Sequence, residues 1–283
     1  MIITKLNGGL GNQLFQYAVG RTLAINNNTE LKLDTACYNK NDYRNYSLNN
    51  FNIKENIAGA DEIGNFNKKG FGKIIEKLKP RKCRSIFVEK NYSFDRNILK
   101  IKDNKYLIGY WQSEKYFIGT KDAIKNEITL KNELDEKFSN LLSEIKNNNS
   151  VSIHFRQTDY TSAKNSVVYS NLNVSYYKKA IQIIEKSVKS PRFFIFSDDI
   201  AWVKKNITLP ASSVYVSDGT AKDYEELILM SKCKHNIIAN STFSWWGAWL
   251  NNNPDKIVIA PEKWFKDKNK DTKDLIPDNW IKI

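Results

Sequence analysis

Cysteine and histidine are both scarce in this chain. Its 283 residues hold three cysteines, Cys37, Cys83 and Cys233, an odd and widely spaced set. They make neither a disulfide framework nor a metal-knuckle pattern, which fits a reducing cytoplasm. The two histidines, His154 and His235, are too few for a histidine-based metal site. Long hydrophobic runs are missing too: Phe193-Phe194-Ile195-Phe196 falls far short of the ~18 residues that suggest a membrane span. No basic, apolar and cleavage-site succession opens the sequence, so no secretory leader is expected. What is present is 41% hydrophobic residues at a mean hydropathy of −0.54, a soluble composition that can build real cores. The length favours two medium domains over one.

Acidic residues are outnumbered, 31 against 44 Lys and Arg, leaving a formal net charge of +13. That charge admits nucleic acid, an anionic membrane surface or a phosphorylated small molecule as partner. Much of it is local: residues 68–84 carry eight basic side chains and one acid, Glu76. Within that run Ile74, Ile75 and Leu78 recur at helical spacing, giving a short basic amphipathic helix. Either this is a solvated face or it contacts an anionic membrane from the cytoplasmic side.

A strand at 2–6, a helix over 14–25 and a strand at 31–34 form a β-loop-α opening. Residues 35–100 are polar and irregular, 107–111 reads as a strand, and Leu134, Phe138, Leu141, Leu142 and Ile145 line an amphipathic helix. The polar run Asn147-Asn148-Asn149-Ser150 is the expected linker. Beyond it, strands at 151–155, 192–196, 213–216, 235–239 and 256–260 alternate with helices near 174–188, 199–206, 222–232 and 243–251. Such alternation builds a doubly wound parallel sheet that binds ligands at the carboxyl ends of its strands. Thr220 and Asp223 have the spacing of a capping box for the 222–232 helix.

Four strand ends carry groups suited to a nucleotide. Glycine is sparse, 12 residues in all, yet Gly8, Gly9 and Gly11 fall within four positions. Such a turn either closes backbone amides on an anion or simply needs positive φ angles. In VSIHFRQTDY (151–160), Val151, Ile153 and Phe155 share one face while Ser152, His154 and Arg156 share the other. Arg156 offers a fork to phosphate oxygens, or it pairs with Asp159 and pins the loop. Asp198 or Asp199 in IFSDDI reads a guanine edge or caps the next helix. Ser241 and Thr242 stand at the start of a helix holding Trp245, Trp246 and Trp249, where hydroxyls and free amides bind anions. Those tryptophans pack the helix on the sheet or stack on a ligand.

The ordered stretches GGLGNQLFQYA, SIHFRQTDY, FSDD and MSKCKHNIIANSTFSWWGAWL resemble the motifs of the bacterial α-1,2-fucosyltransferases, glycosyltransferase family 11. The resemblance runs from the N-terminus to about Pro261. It implies an α/β, GT-B-like architecture of two Rossmann-type domains facing across a cleft. Residues 1–148 would form the acceptor-side domain and 149–283 the GDP-binding domain. It further implies fucose transfer from GDP-fucose to a galactoside hydroxyl with inversion, in surface-polysaccharide biosynthesis, needing no metal or other cofactor. Acceptors would be glycans or lipid-linked oligosaccharides, and nucleic acid is not an expected partner. Gly9, Gly11, Asn12 and the adjoining Gln13 fall where the family's glycine turn nears the pyrophosphate. His154, Arg156 and Asp159 fall on its H-x-R-R-x-D motif, Asp198 or Asp199 near the guanine, and Ser241, Thr242, Phe243 and Ser244 at the phosphate end. Arg156, His154 and Asn12 are the residues expected to act in catalysis. Gln157 replaces the motif's second arginine and so bears on which sugar is carried.

Two other classes compete. A dinucleotide oxidoreductase would use the N-terminal turn, but Gly8-Gly9-Leu10-Gly11 lacks the G-x-G-x-x-G spacing. A nucleic-acid-binding protein would explain the charge but leaves the His154 and Arg156 face idle. A related transferase of another GDP-linked 6-deoxyhexose keeps every motif.

Overall fold

The computed structural model describes residues 1–39, 44–66, 70–157, 172–267 and 269–283. Two compact units result, Met1–Lys131 with Asp271–Pro277, and Asn132–Lys270 with Asp278–Ile283.

Unit 1 runs β1 (Ile2–Lys5), α1 (Leu10–Asn26), β2 (Leu31–Asp34), α2 (Ala60–Gly64), α3 (Gly70–Leu78), β3 (Ile86–Val88), β4 (Lys105–Ile108) and α4 (Lys121–Glu127). Its sheet is parallel throughout, in the order β2-β1-β4-β3. Helix α1 is buried along most of its length, which suits a helix lying on a sheet and covered by loops. Gly20 permits that close approach: a Cβ there would sit 2.2 Å from Thr4 Oγ1 and 2.8 Å from Leu31 Cδ1. The helix begins at Leu10, four residues before its expected start, because Gly9 caps it and accepts from the Asn12 and Gln13 amides. Of Gly8, Gly9 and Gly11, Gly8 alone is left-handed, at φ +83°.

Unit 2 runs α5 (Glu136–Asn147), β5 (Asn149–Phe155), α6 (Val174–Ser187), β6 (Pro191–Ser197), α7 (Ile200–Asn206), β7 (Val214–Tyr215), α8 (Asp223–Lys232), β8 (His235–Ile237), α9 (Thr242–Leu250), β9 (Val258–Ala260) and β10 (Ile281–Lys282). The parallel sheet has the order β10-β9-β8-β5-β6-β7. Val151, Ile153 and Phe155 meet Tyr177, Ile181 and Ile184 of α6 on one face. Phe194 and Phe196 meet Phe138 and Ile145 of α5 and Leu229 of α8 on the other. Each such side chain, fully buried, contributes about 1.5–3 kcal/mol. With helices on both faces, β5 is covered above and below, as parallel strands are.

The division between units falls at Lys131/Asn132, not at 148/149. The reason is α5, whose apolar stripe joins the second core rather than the first. The asparagine run is therefore no linker. Asn149 begins β5, with its side chain bonded to the Lys189 carbonyl (2.7 Å) and to Lys234 Nζ (3.1 Å). The cap of α8 also differs: Glu225, not Asp223, accepts the amide of its cap residue, Lys222, at 2.7 Å. Thr220 bonds Asp218 instead. Among the described residues no helix is long and apolar enough to cross a membrane.

Candidate nucleotide-sugar site

Each sheet reverses its winding once, and ligands of such sheets sit at the carboxyl ends of strands beside that reversal. In unit 2, β6 and β7 extend the sheet to one side of β5, while β8, β9 and β10 extend it to the other. The reversal therefore lies between β5 and β8. Arg156 leaves the end of β5, the α9 N-terminus follows β8, and Asp198 follows β6. Strand pairing alone thus gathers three of the four sequence signals, all those that belong to this unit.

Arg156 does not stand isolated there. Its Nε lies 3.3 Å from Asp198 Oδ2, and both side chains keep about one-fifth of their surface, 19% and 18%. The other oxygen, Asp198 Oδ1, accepts the Gln157 amide at 2.7 Å. One carboxylate thus orients the guanidinium and fixes the loop that carries it. Asp199 has the other duty open to this pair: it caps α7 by accepting the Trp202 amide at 2.8 Å. Asp159, the third residue of the motif, lies outside the described residues.

His154 was expected on a ligand-facing side, with a catalytic role. It is 3% exposed, and its ring packs 5.6 Å from that of Phe243. Burial first, and the Arg156 charge second, push its pKa from 6.5 to about 3. Its Nδ1 is buried without a hydrogen bond among the described residues. A neutral, enclosed imidazole is a poor proton acceptor near pH 7, and this ring packs against Phe243 beside Arg156.

At α9, Ser241 takes the cap position with extended backbone, but its side chain caps nothing. Its hydroxyl and that of Thr242 remain partly exposed beside the helix's first amides, a ready anion site. Phe243 is partly exposed as well. Ser244 is not: it is 1% exposed, with Oγ donating to the Ser241 carbonyl at 3.3 Å. That bond tightens the first turn. The tryptophans pack. Trp245 stacks on Trp249 at 6.1 Å between ring centroids and also meets Trp280.

No motif in the sequence pointed to Glu226. Three acids, Asp223, Glu225 and Glu226, stand in the first turn of α8, where the helix dipole favours negative charge. Burial, helped by the charges of Asp223, Asp218 and Asp198, pushes the Glu226 carboxyl up to about 7. Ser217 donates to it while accepting the Ser197 amide at 3.0 Å, so Glu226 is wired to the end of β6.

In unit 1 the reversal lies between β1 and β4, where the glycine turn meets the loop after β4. Asn12 Oδ1 accepts Gln112 Nε2 at 2.9 Å, and Asn7 Nδ2 reaches the Tyr110 hydroxyl at 3.4 Å. Gly9 and Gly11 lie within this opening turn, at the cap and in the first turn of α1. Gln13, expected to touch the donor, is fully buried. It donates to the Gly8 and Asn45 carbonyls and accepts the Ser47 amide, so it ties the turn from inside. Glu89, after β3, accepts the amides of Tyr110 and Trp111. Those bonds hold Trp111 in a left-handed conformation, φ +57°. A cavity of about 360 Å³ opens at these strand ends, lined by Arg81, Glu89, Phe94, Asp95, Trp111 and Tyr116.

Two units, each a parallel sheet with helices, are the plan of the GT-B fold, and this chain has that fold. It belongs to glycosyl transferase family 11, whose model matches residues 86–283. Over its whole length it is 34% identical to an alpha-1,2-colitosyltransferase of Escherichia coli, with 99% of that protein covered. Over 98% of its length it is 33% identical to the O-antigen biosynthesis glycosyltransferase WbnK of the same species, again with 99% covered. A galactoside 2-alpha-L-fucosyltransferase of Mus musculus is 28% identical over 54% of this chain and 43% of its own. Among solved structures, the fucosyltransferase NodZ from Bradyrhizobium shares the fold at a TM-score of 0.50 and 15% identity, with 87% of this chain and 91% of that one covered.

Proposed function

We propose that this glycosyltransferase moves fucose from GDP-fucose to a galactoside hydroxyl in an α-1,2 linkage, with inversion and without a catalytic metal. The observation that carries the reading is that Arg156 and the α9 N-terminus follow the adjacent strands β5 and β8, on either side of the reversal. Transfer breaks the bond between the anomeric carbon and a diphosphate oxygen, so negative charge grows on departing GDP. Arg156, the first amides of α9 and the Ser241 and Thr242 hydroxyls are the groups fitted to take that charge. Asp198 aims the guanidinium. An acceptor hydroxyl attacks from the opposite face of the sugar.

In this reading unit 2 holds the GDP-sugar. Unit 1, which carries Gly9, Gly11 and Asn12, takes the acceptor, a glycan or lipid-linked oligosaccharide. In this reading the work is cytoplasmic, which three cysteines outside any disulfide suit. The names of the relatives support the sugar class: colitosyl transfer and O-antigen biosynthesis over full length, galactoside fucosyl transfer over half.

A second reading, transfer of colitose or another deoxyhexose, is favoured by Gln157 in place of an arginine and by the colitosyltransferase likeness. The test is incubation with GDP-fucose, GDP-colitose and GDP-mannose and a galactoside acceptor, with and without EDTA, reading mass and linkage. An α-1,2-fucosylated product formed equally in EDTA is expected. Preference for GDP-colitose moves the assignment to the second reading. Turnover lost in EDTA and restored by magnesium defeats the metal-free mechanism.

A further inference from the structure

Helix α3 is built the wrong way round for a solvated helix. Ile74, Ile75 and Leu78, which share one face, are 55%, 46% and 80% exposed. Its acid is the residue turned in: Glu76 accepts the Ser85 amide and hydroxyl, and its other oxygen takes Lys79 Nζ at 2.7 Å. That pairing helps hold the Glu76 pKa down at about 2 against the burial that would raise it. Val88, on edge strand β3, is 49% exposed, and the Arg81 guanidinium donates to its carbonyl at 2.8 Å. Four of the nine large hydrophobics exposed among the described residues thus fall within residues 74–88. The same stretch of sequence, 68–84, carries eight basic residues against Glu76 alone.

From this juxtaposition we infer that the α3 face docks on an anionic lipid bilayer. Aliphatic side chains at 74, 75 and 78 enter the boundary between headgroups and acyl chains, and the basic excess of residues 68–84, Lys82 among them, supplies positive charge for lipid phosphates. Charge selects this occupant. A second copy of the chain docking through the same patch would set two strongly basic segments against each other, since a two-fold interface is self-complementary. Nucleic acid has no use for three exposed aliphatics. The inference is independent of which sugar is transferred, because α3 contains no residue assigned to the donor.

The test is flotation of the full chain with vesicles of phosphatidylglycerol and phosphatidylethanolamine, against vesicles of phosphatidylcholine. The wild-type chain should float with the anionic vesicles and not the neutral ones, and release as salt is raised. The double variant Ile75→Asp, Leu78→Asp should lower the partition coefficient at least about tenfold. It should keep the wild-type melting temperature and its transfer to a soluble acceptor. Lys82→Glu should weaken binding with the apolar face intact. Equal binding by wild type and double variant, or no binding to anionic vesicles, would overturn the inference. So would a solution dimer that the double variant dissolves.

Discussion

Glu226→Gln should stabilise the protein, and only on the alkaline side. The wild-type carboxyl sits among Asp198, Asp218 and Asp223 with its pKa raised from 4.5 to about 7. In the unfolded chain it ionises near its ordinary value. At pH well below 4.5 both states hold the proton and the substitution changes nothing. Between about 4.5 and 7 the folded state keeps a proton that the unfolded state has lost, so wild-type stability falls as pH rises. Above 7 both states are ionised and the deficit stays constant. A shift of this size corresponds to at most on the order of 3 kcal/mol, and partial exposure trims the expectation to about 2 kcal/mol. The glutamine keeps an oxygen for the Ser217 hydroxyl, so the network to the end of β6 survives. For a chain of this length about 2 kcal/mol is roughly 3 °C in melting temperature. Calorimetry of both proteins should show that gain at pH 8 and about a quarter of it at pH 5. Equal shifts at both pH values, or a less stable variant at pH 8, would show that Glu226 is an ordinary ionised surface acid.

Gln157→Arg adds a charge at the end of β5, beside a loop whose amide already holds Asp198. GDP binding should tighten roughly tenfold by titration calorimetry, and the ratio of turnover with GDP-fucose to that with GDP-colitose should change. Gly20→Ala places a methyl group 2.2 Å from Thr4 Oγ1, so denaturant unfolding should show a loss of about 1–3 kcal/mol. A neutral substitution would mean that α1 does not need its close seat on the sheet.

The alternation of helix and strand after residue 150 was legible because apolar residues there recur at clean local periods. So was the cluster of polar groups at strand ends. What local pattern did not reveal depends on contacts distant in sequence. The helix over 136–147 shows its apolar stripe plainly, but not which core receives it. The pair β9 and β10 forms between segments about twenty residues apart. His154 looked ligand-facing by alternation along β5, yet α9 brings Phe243 over it and closes it off. Gln13 and Ser244 looked available because their neighbours are, and both spend their polar atoms on backbone. Glu226 was invisible: its raised pKa comes first from burial, and then from Asp223 of its own helix and from Asp218 and Asp198, which stand elsewhere in the sequence.

The account rests on Arg156 holding the diphosphate of a guanine nucleotide at the β5–β8 reversal. Titration calorimetry with GDP of the wild type and Arg156→Ala tests this directly, with melting temperatures as the control for folding. Loss of one charge-assisted contact predicts affinity lower by roughly ten- to a hundredfold in a variant that still folds. An unchanged dissociation constant would contradict it.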